Sequence, residues 1–334
     1  MKLSTLIVLS CVTVAATGCN SGKDGTSTSS SGSGGDSGND SGNDSGNDSG
    51  SFWAVGENGA MVQVTHAGEI GTYPLDETGD LRAIACKGTE QAVAVGEAGL
   101  MVVTFDGGMS WDSVDLGGKY ELRAVALAGG EVGYVVGDGV VFRSLDDSKT
   151  WDAVPVAAAD WTAVTTTAAG TTAWLTTGDE VWRLRDEALE RMYTADAPLA
   201  GIAVTPDGEH VVAVGEVGLL IRSDDAGESW AAEVPKTARD LHAVRIAGDA
   251  SLVIAVGEAG ALVRIGEDDI STSEQLDPAL ALRGLHLSQT HGHAVGDHGT
   301  VLVTHDLGVT WEPLDIGMTV DLLGLDDLHG EPHL

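Results

Sequence analysis

Aromatic residues make up only 4 % of this 334-residue chain, and 17 lysines and arginines face 51 aspartates and glutamates. Cysteine is down to three. Each shortage excludes something. A net charge of −34 offers no basic patch to a phosphate backbone, so nucleic acid is excluded as a partner and anionic lipid headgroups are repelled. The aspartates of the N-terminal linker (Asp24, Asp36, Asp40, Asp44, Asp48) account for little of that charge, so the folded body is acidic too. Such a surface also suits a saline habitat, which would make it an adaptation rather than a recognition device. Cys11 and Cys19 lie in or at the end of the N-terminal apolar run, leaving Cys86 alone in the body, where no disulfide framework can form. Within RAIAC, Cys86 reads as a small buried hydrophobe of a strand.

The N-terminus carries an address. Lys2 precedes an apolar stretch over residues 3–16, too short to span a bilayer as a mature helix. Ala16-Thr17-Gly18-Cys19 follows and resembles the lipobox of bacterial lipoproteins. That resemblance implies a signal peptide over 1–18, acylation of Cys19 as the first mature residue and, with Asn20 after it, an outer-membrane protein facing the periplasm or the surface. The membrane is then met through the lipid alone. Residues 19–51 are the lipidated cysteine and a Ser/Gly/Asp/Asn tether with DSGN repeats, lacking apolar side chains to offset ordering entropy. Calcium is weighed and set aside, because the aspartate spacing lacks the ligand alternation and terminal Glu of an EF-hand.

The body repeats itself. An apolar run ending in glycine and followed by an acid occurs at Gly56-Glu57, Gly96-Glu97, Gly137-Asp138, Gly178-Asp179, Gly215-Glu216, Gly257-Glu258 and Gly296-Asp297. The steps are 40, 41, 41, 37, 42 and 39 residues, the period of a propeller blade. β-Branched residues and period-two alternation favour strands. The expected fold is all-β, a seven-bladed propeller of four-stranded blades over 52–328 with a tail at 329–334. The first echo has no LRAIA-type strand before it, whereas Leu322-Leu323-Gly324-Leu325 is left over at the far end. The C-terminal strand should therefore pair into blade one and close the ring.

A second motif, Ser/Thr-x-Asp-x-Gly-x-x-Trp, falls between the third and fourth strands. It is intact at Asp106-Gly108-Trp111, Asp225-Gly227-Trp230 and Asp306-Gly308-Trp311, and survives at Asp146 and Trp151 with Ser148 in place of glycine. This pattern is that of the Asp-box, or bacterial neuraminidase repeat. Its parts have structural jobs: the carboxylate accepts from turn amides, the glycine permits positive φ and the indole packs under the hairpin. Residues 52–328 resemble the propellers related to the photosystem II stability and assembly factor, whose blades read much like AVGEAGLMVVTFDGGMSW. The resemblance implies a non-catalytic ring that docks membrane-protein assembly intermediates.

No enzyme, cofactor or metal site is expected. Sialidases share the Asp-box, but Tyr73, Tyr120, Tyr134 and Tyr193 sit in no recognisable nucleophile arrangement and no arginine triad is assembled. A glycoside-hydrolysing or carbohydrate-binding ring using carboxylates at the channel mouth is the rival reading, since two facing acids suffice. Late histidines (His286, His291, His293, His298, His305, His329, His333) crowd the end; they are expected to be exposed at strand edges rather than to form a zinc site. The docking candidates are the residues after the leading residue of each first strand, chiefly Arg82, Arg123, His242 and Arg283, framed by the seven echo acids Glu57, Glu97, Asp138, Asp179, Glu216, Glu258 and Asp297. One reading has the arginines holding an acidic group of an envelope protein. The plainer one has each glycine-acid pair making a tight turn while the arginines neutralise neighbours. The expected state is a monomer, bound to envelope proteins.

Overall fold

The computed structural model describes residues 51–327 apart from 66–68, 74, 76–78, 234–236, 267–270, 277–278 and 289–290. The expected signal peptide, Cys19, most of the tether, the tail at 329–334, His329 and His333 lie outside these residues.

Seven antiparallel four-stranded sheets form the propeller. Blade two shows the pattern: Leu81–Lys87, Gln91–Gly96, Met101–Thr104 and the short Asp112–Ser113. The innermost strands of blades three to seven begin at Leu122, Trp161, Leu199, Leu241 and Leu282. Strand alternation sends successive side chains to opposite faces of a blade, so the core lies between blades. Ile84 and Cys86 pack with Trp53 and Val55 of blade one, whereas Ala83 and Ala85 pack with Leu122 and Val125 of blade three. Fully burying each such valine or leucine contributes about 1.5–3 kcal/mol. Cys86 is buried, as its strand context leads one to expect.

The C-terminal strand closes the ring. Leu322–Asp327 is the innermost strand of blade one and pairs antiparallel with Ser51–Gly56, in the register Trp53 to Asp326 and Ala54 to Leu325. It also packs against the innermost strands of blades two and seven, so blade one is completed to four strands and joins its two neighbours in the ring. Ser51 already belongs to the strand and is buried, one residue before the boundary expected at 52.

Blade four departs from the repeat. Its strands Thr172–Thr177, Glu180–Arg185 and Ala188–Thr194 are joined by two-residue turns, Gly178-Asp179 and Asp186-Glu187. Asp186 and Glu187 have φ of 49° and 67°, the left-handed values a tight hairpin requires. That hairpin stands where other blades carry the aspartate turn, which is why blade four lacks the motif and has a long outer strand.

Candidate functional site

Outside blade four, the echo glycines are not turn residues. At Gly56, Gly96, Gly215, Gly257 and Gly296 the backbone is extended, with φ between −168° and −173°. Each ends a second strand where the chain entering the innermost strand presses close. A Cβ on Gly96 would stand 1.9 Å from the Asp80 carbonyl oxygen, and one on Gly137 2.2 Å from that of Glu121. The same oxygens accept the backbone N–H of the following acids, at 3.0 Å from Glu97 and from Asp138. Glycine is required by close approach of two backbones, and this corrects the expectation of a tight Gly-acid turn. The left-handed conformation falls one residue after the acid, on Asn58, Ala98, Val217, Ala259 and His298.

Blade four breaks the set of seven. Thr177 pairs with Trp161 as Gly96 pairs with Leu81, so Thr177 holds the echo position, and Gly178 and Asp179 are displaced by one. Gly178 has φ of 53° and nothing near it, so it is a turn glycine of the ordinary kind. Six acids occupy the equivalent position; Asp179 resembles them in sequence only.

Three of the six are paired by the arginines of the second innermost-strand position. Arg82 Nη2 donates to Glu97 Oε1 at 2.6 Å and lies 3.2 Å from Glu121 Oε2. Arg123 Nη2 stands 2.6 Å from Asp138 Oδ1, and Arg283 Nε donates to Asp297 Oδ1 at 2.7 Å. Arg82 and Arg123 are buried, and His242, at the same strand position in blade six, is buried too. Burial, followed by the Arg283 charge, lowers the His242 pKa, so the imidazole is held neutral. Its Nδ1 lies 3.2 Å from the Leu282 carbonyl oxygen, while Nε2 has no hydrogen-bond partner among the described residues. Glu57, Glu216 and Glu258 form no salt bridge among the described residues and stay half-exposed. This face therefore presents three compensated acids and three uncompensated ones around three acid-paired arginines and the neutral His242.

The aspartate turns lie on the opposite face, and their geometry repeats four times. Thr104 Oγ1 donates to Asp106 Oδ1 at 2.8 Å and accepts from the Gly108 amide; Asp106 in turn accepts from the Ser110 amide and hydroxyl. Asp146, Asp225 and Asp306 do the same with Thr150, Ser229 and Thr310. The donated bonds, the hydroxyl first, hold the Asp306 carboxyl down to about 2. These carboxylates are fully occupied by their own turns. Gly108 and Gly227 also abut indoles of the preceding blade, with a Cβ falling 2.2 Å from Trp53 and from Trp174 respectively. Where Ser148 replaces glycine, the register position of Trp53 is held in blade two by the smaller Val93. The turns expose apolar tips at Phe105, Met109, Leu145 and Val309, which sequence reasoning passed over.

The far face also holds a cavity of about 370 Å³ at the ends of the innermost strands of blades three to seven, with Ala126, Ala168 and Pro206 on one side and Arg245 and His286 on the other. At the fifth position of the innermost strands, blades two to five carry Ala85, Ala126, Thr165 and Ala203, and the remaining three carry Arg245, His286 and Asp326. Asp326 is fully buried, and burial pushes its carboxyl well above the usual range, against the opposing pull of Arg245. His286 Nδ1 lies 3.9 Å from Asp326 and its Nε2 3.5 Å from Asp327. The signal in the sequence for this cluster is the run of ionisable residues at the fifth position of successive innermost strands, Arg245, His286 and Asp326.

The histidines do not share one environment. His298 and His305 are exposed as expected, but His286, His291 and His293 are buried, which corrects the expectation for those three. His293 packs against Phe52 with the rings tilted and their centroids 4.3 Å apart, so the imidazole serves as part of the seam between blades seven and one. Among the described residues no group of three or more His, Cys, Asp or Glu is placed to hold a metal.

Comparison with solved structures places the fold. The chain is similar to YCF48 from Cyanidioschyzon merolae, with a TM-score of 0.60 at 17 % identity over 74 % of this chain and 88 % of that one. It is also similar to YCF48 solved bound to D1 peptide, with a TM-score of 0.59 at 18 % identity over 72 % of this chain and 82 % of that one. No family model and no curated protein sequence matches the chain.

Proposed function

We propose that this protein is a non-enzymatic docking propeller that holds another protein during assembly, anchored to the cell envelope through lipid on Cys19. The observation that carries the reading is the shared fold with a propeller solved with a peptide bound, over most of both chains. The docking face is the one bearing Glu57, Glu216 and Glu258, where uncompensated acids surround the collar of Arg82, Arg123, His242 and Arg283. A basic segment of the partner meets the acids, and the arginines, each paired with an acid of the same face, fix the geometry from beneath. The tether gives the ring reach from the outer membrane.

Crosslinked pull-down from intact membranes tests this. A discrete envelope partner should be recovered, and substituting glutamine at Glu57, Glu216 and Glu258 together should weaken its recovery about tenfold while the ring stays folded. Turnover of a fluorogenic glycoside panel that disappears with single carboxylate changes at the channel mouth would overturn the reading in favour of a hydrolase.

A further inference from the structure

Seven large apolar side chains stand exposed among the described residues, and their placement is lopsided. Val217 alone lies on the face of the echo acids. The other six lie on the far face: Ile70 in blade one, Phe105 and Met109 in blade two, Leu145 in blade three, and Leu307 and Val309 in blade seven. Blades seven, one, two and three are consecutive in the ring, so these side chains form one arc. The aspartate turn does not require them. Blade five builds the same turn, with the Gly227 amide on Ser223 and the Ser229 amide on Asp225, yet carries Asp224 and Glu228 where blade two carries Phe105 and Met109. One turn geometry thus has charged tips on one side of the ring and apolar tips on the other. An exposed apolar surface that the fold does not need is a contact surface for something outside the ring.

The path of the chain points to what covers it. Ser51 pairs with Thr65, and Val64 with Ile70, so the N-terminal segment enters the ring on the far face, within the arc. The turn bearing Phe105 and Met109 sits against that entry, since Gly108 abuts the indole of Trp53, two residues after Ser51. We propose that the arc rests in the headgroup region of a zwitterionic bilayer, so that side chains of the ring meet the membrane as well as the lipid. The proposal rests on the reading that Cys19 is acylated, because the anchor then brings the bilayer to the face from which the chain leaves and raises its effective concentration there. Scattered apolar tips suit shallow, reversible insertion, which leaves the ring free to lift off within the reach of its tether. The carboxylates of Asp106, Asp146 and Asp306 lie in the same turns and stay ionised, so anionic headgroups are repelled and zwitterionic ones are not. Seated this way, the ring points Glu57, Glu216 and Glu258 away from the membrane.

Fluorescence quenching tests the contact. The whole chain is expressed in a bacterium, purified in detergent and reconstituted in phosphatidylcholine vesicles that carry a nitroxide near the headgroup. A fluorophore is attached through Met109→Cys or Leu145→Cys in the arc, Glu228→Cys in the charged turn of blade five, or Val217→Cys on the acid face. All four positions are exposed and Cys86 is buried, so the parent chain sets the labelling background. Quenching at 109 and at 145 should exceed that at 217 and 228 about threefold or more. The mass of the N-terminal peptide from the same preparation reads the acylation of Cys19 separately. In an acylated protein, equal quenching at the four positions, or stronger quenching at 217 or 228, overturns the membrane contact and leaves the anchor standing. An unacylated protein with the expected pattern upholds the contact and overturns the anchor, and one without the pattern overturns both.

Discussion

The carboxylate of Asp80, at the entrance to blade two, accepts the backbone N–H of Asn58 in blade one at 2.8 Å. Asp240 does the same for Val217 and Asp321 for His298, each at 2.8 Å, with Glu121 reaching Ala98 at 3.3 Å. In each pair the acid of one blade caps the left-handed turn of the blade before it. Asp80→Ala should therefore cost about 1 kcal/mol, the value of one turn amide left without its acceptor, and lower Tm by a few degrees. Glu57→Gln, which breaks no such bond, should leave thermal unfolding unchanged. Calorimetry of the two variants side by side checks the distinction.

The glycines that end the second strands should tolerate no side chain. Gly96→Ala places a methyl group 1.9 Å from a main-chain oxygen with no flexible neighbour to yield, and should cost on the order of 3 kcal/mol. Gly178→Ala meets no atom but sits at φ of 53°, so its cost should stay near 1 kcal/mol. Equal losses in chemical denaturation would mean that the echo glycines are ordinary turn residues after all.

Much of this ring was legible in the sequence. The period counted the blades, and a missing first strand pointed to its partner at Leu322–Asp327, because closure demands four strands in each sheet. The reason for the glycines was not legible. Extended glycine and turn glycine look alike in a string, and only the approach of the Asp80 carbonyl to Gly96 tells them apart. For the same reason Thr177 was hidden behind Gly178: a one-residue offset in blade four leaves the letters intact and moves the acid out of the ring. Arg245, His286 and Asp326 were missed because each looks incidental in its own strand, and they become a group only when consecutive blades bring them side by side.

Deleting residues 319–334 should unfold the whole ring. The segment removes the innermost strand of blade one, which pairs with Ser51–Gly56 and packs against blades two and seven. Thermal unfolding should lose cooperativity or fall by well over ten degrees, roughly the effect of several kcal/mol. A truncated protein with unchanged Tm would show that closure does not hold the ring together.

Two sets of aspartates should give opposite pH dependences. Asp306 titrates near 2 in the fold against an ordinary value of 3.8, so its contribution is present above 3.8 and disappears as pH falls toward 2. The stability gap between wild type and Asp306→Asn should shrink over that range. Asp326 is shifted upward by burial, so the native state holds its proton, and stability declines as pH rises from 3.8 through the raised value. Asp326→Asn should accordingly gain on the wild type as pH increases, measured by urea denaturation across the range.

Site-specific photocrosslinking in intact cells tests the docking account most directly, because it asks which face of the ring meets a partner. One probe replaces Glu216, among the uncompensated acids, and another replaces Met109, the most exposed apolar tip of the aspartate turns on the opposite face. The expected result is one discrete crosslinked species from position 216 and none from position 109. Crosslinks from position 109 alone, or from neither position, would contradict it.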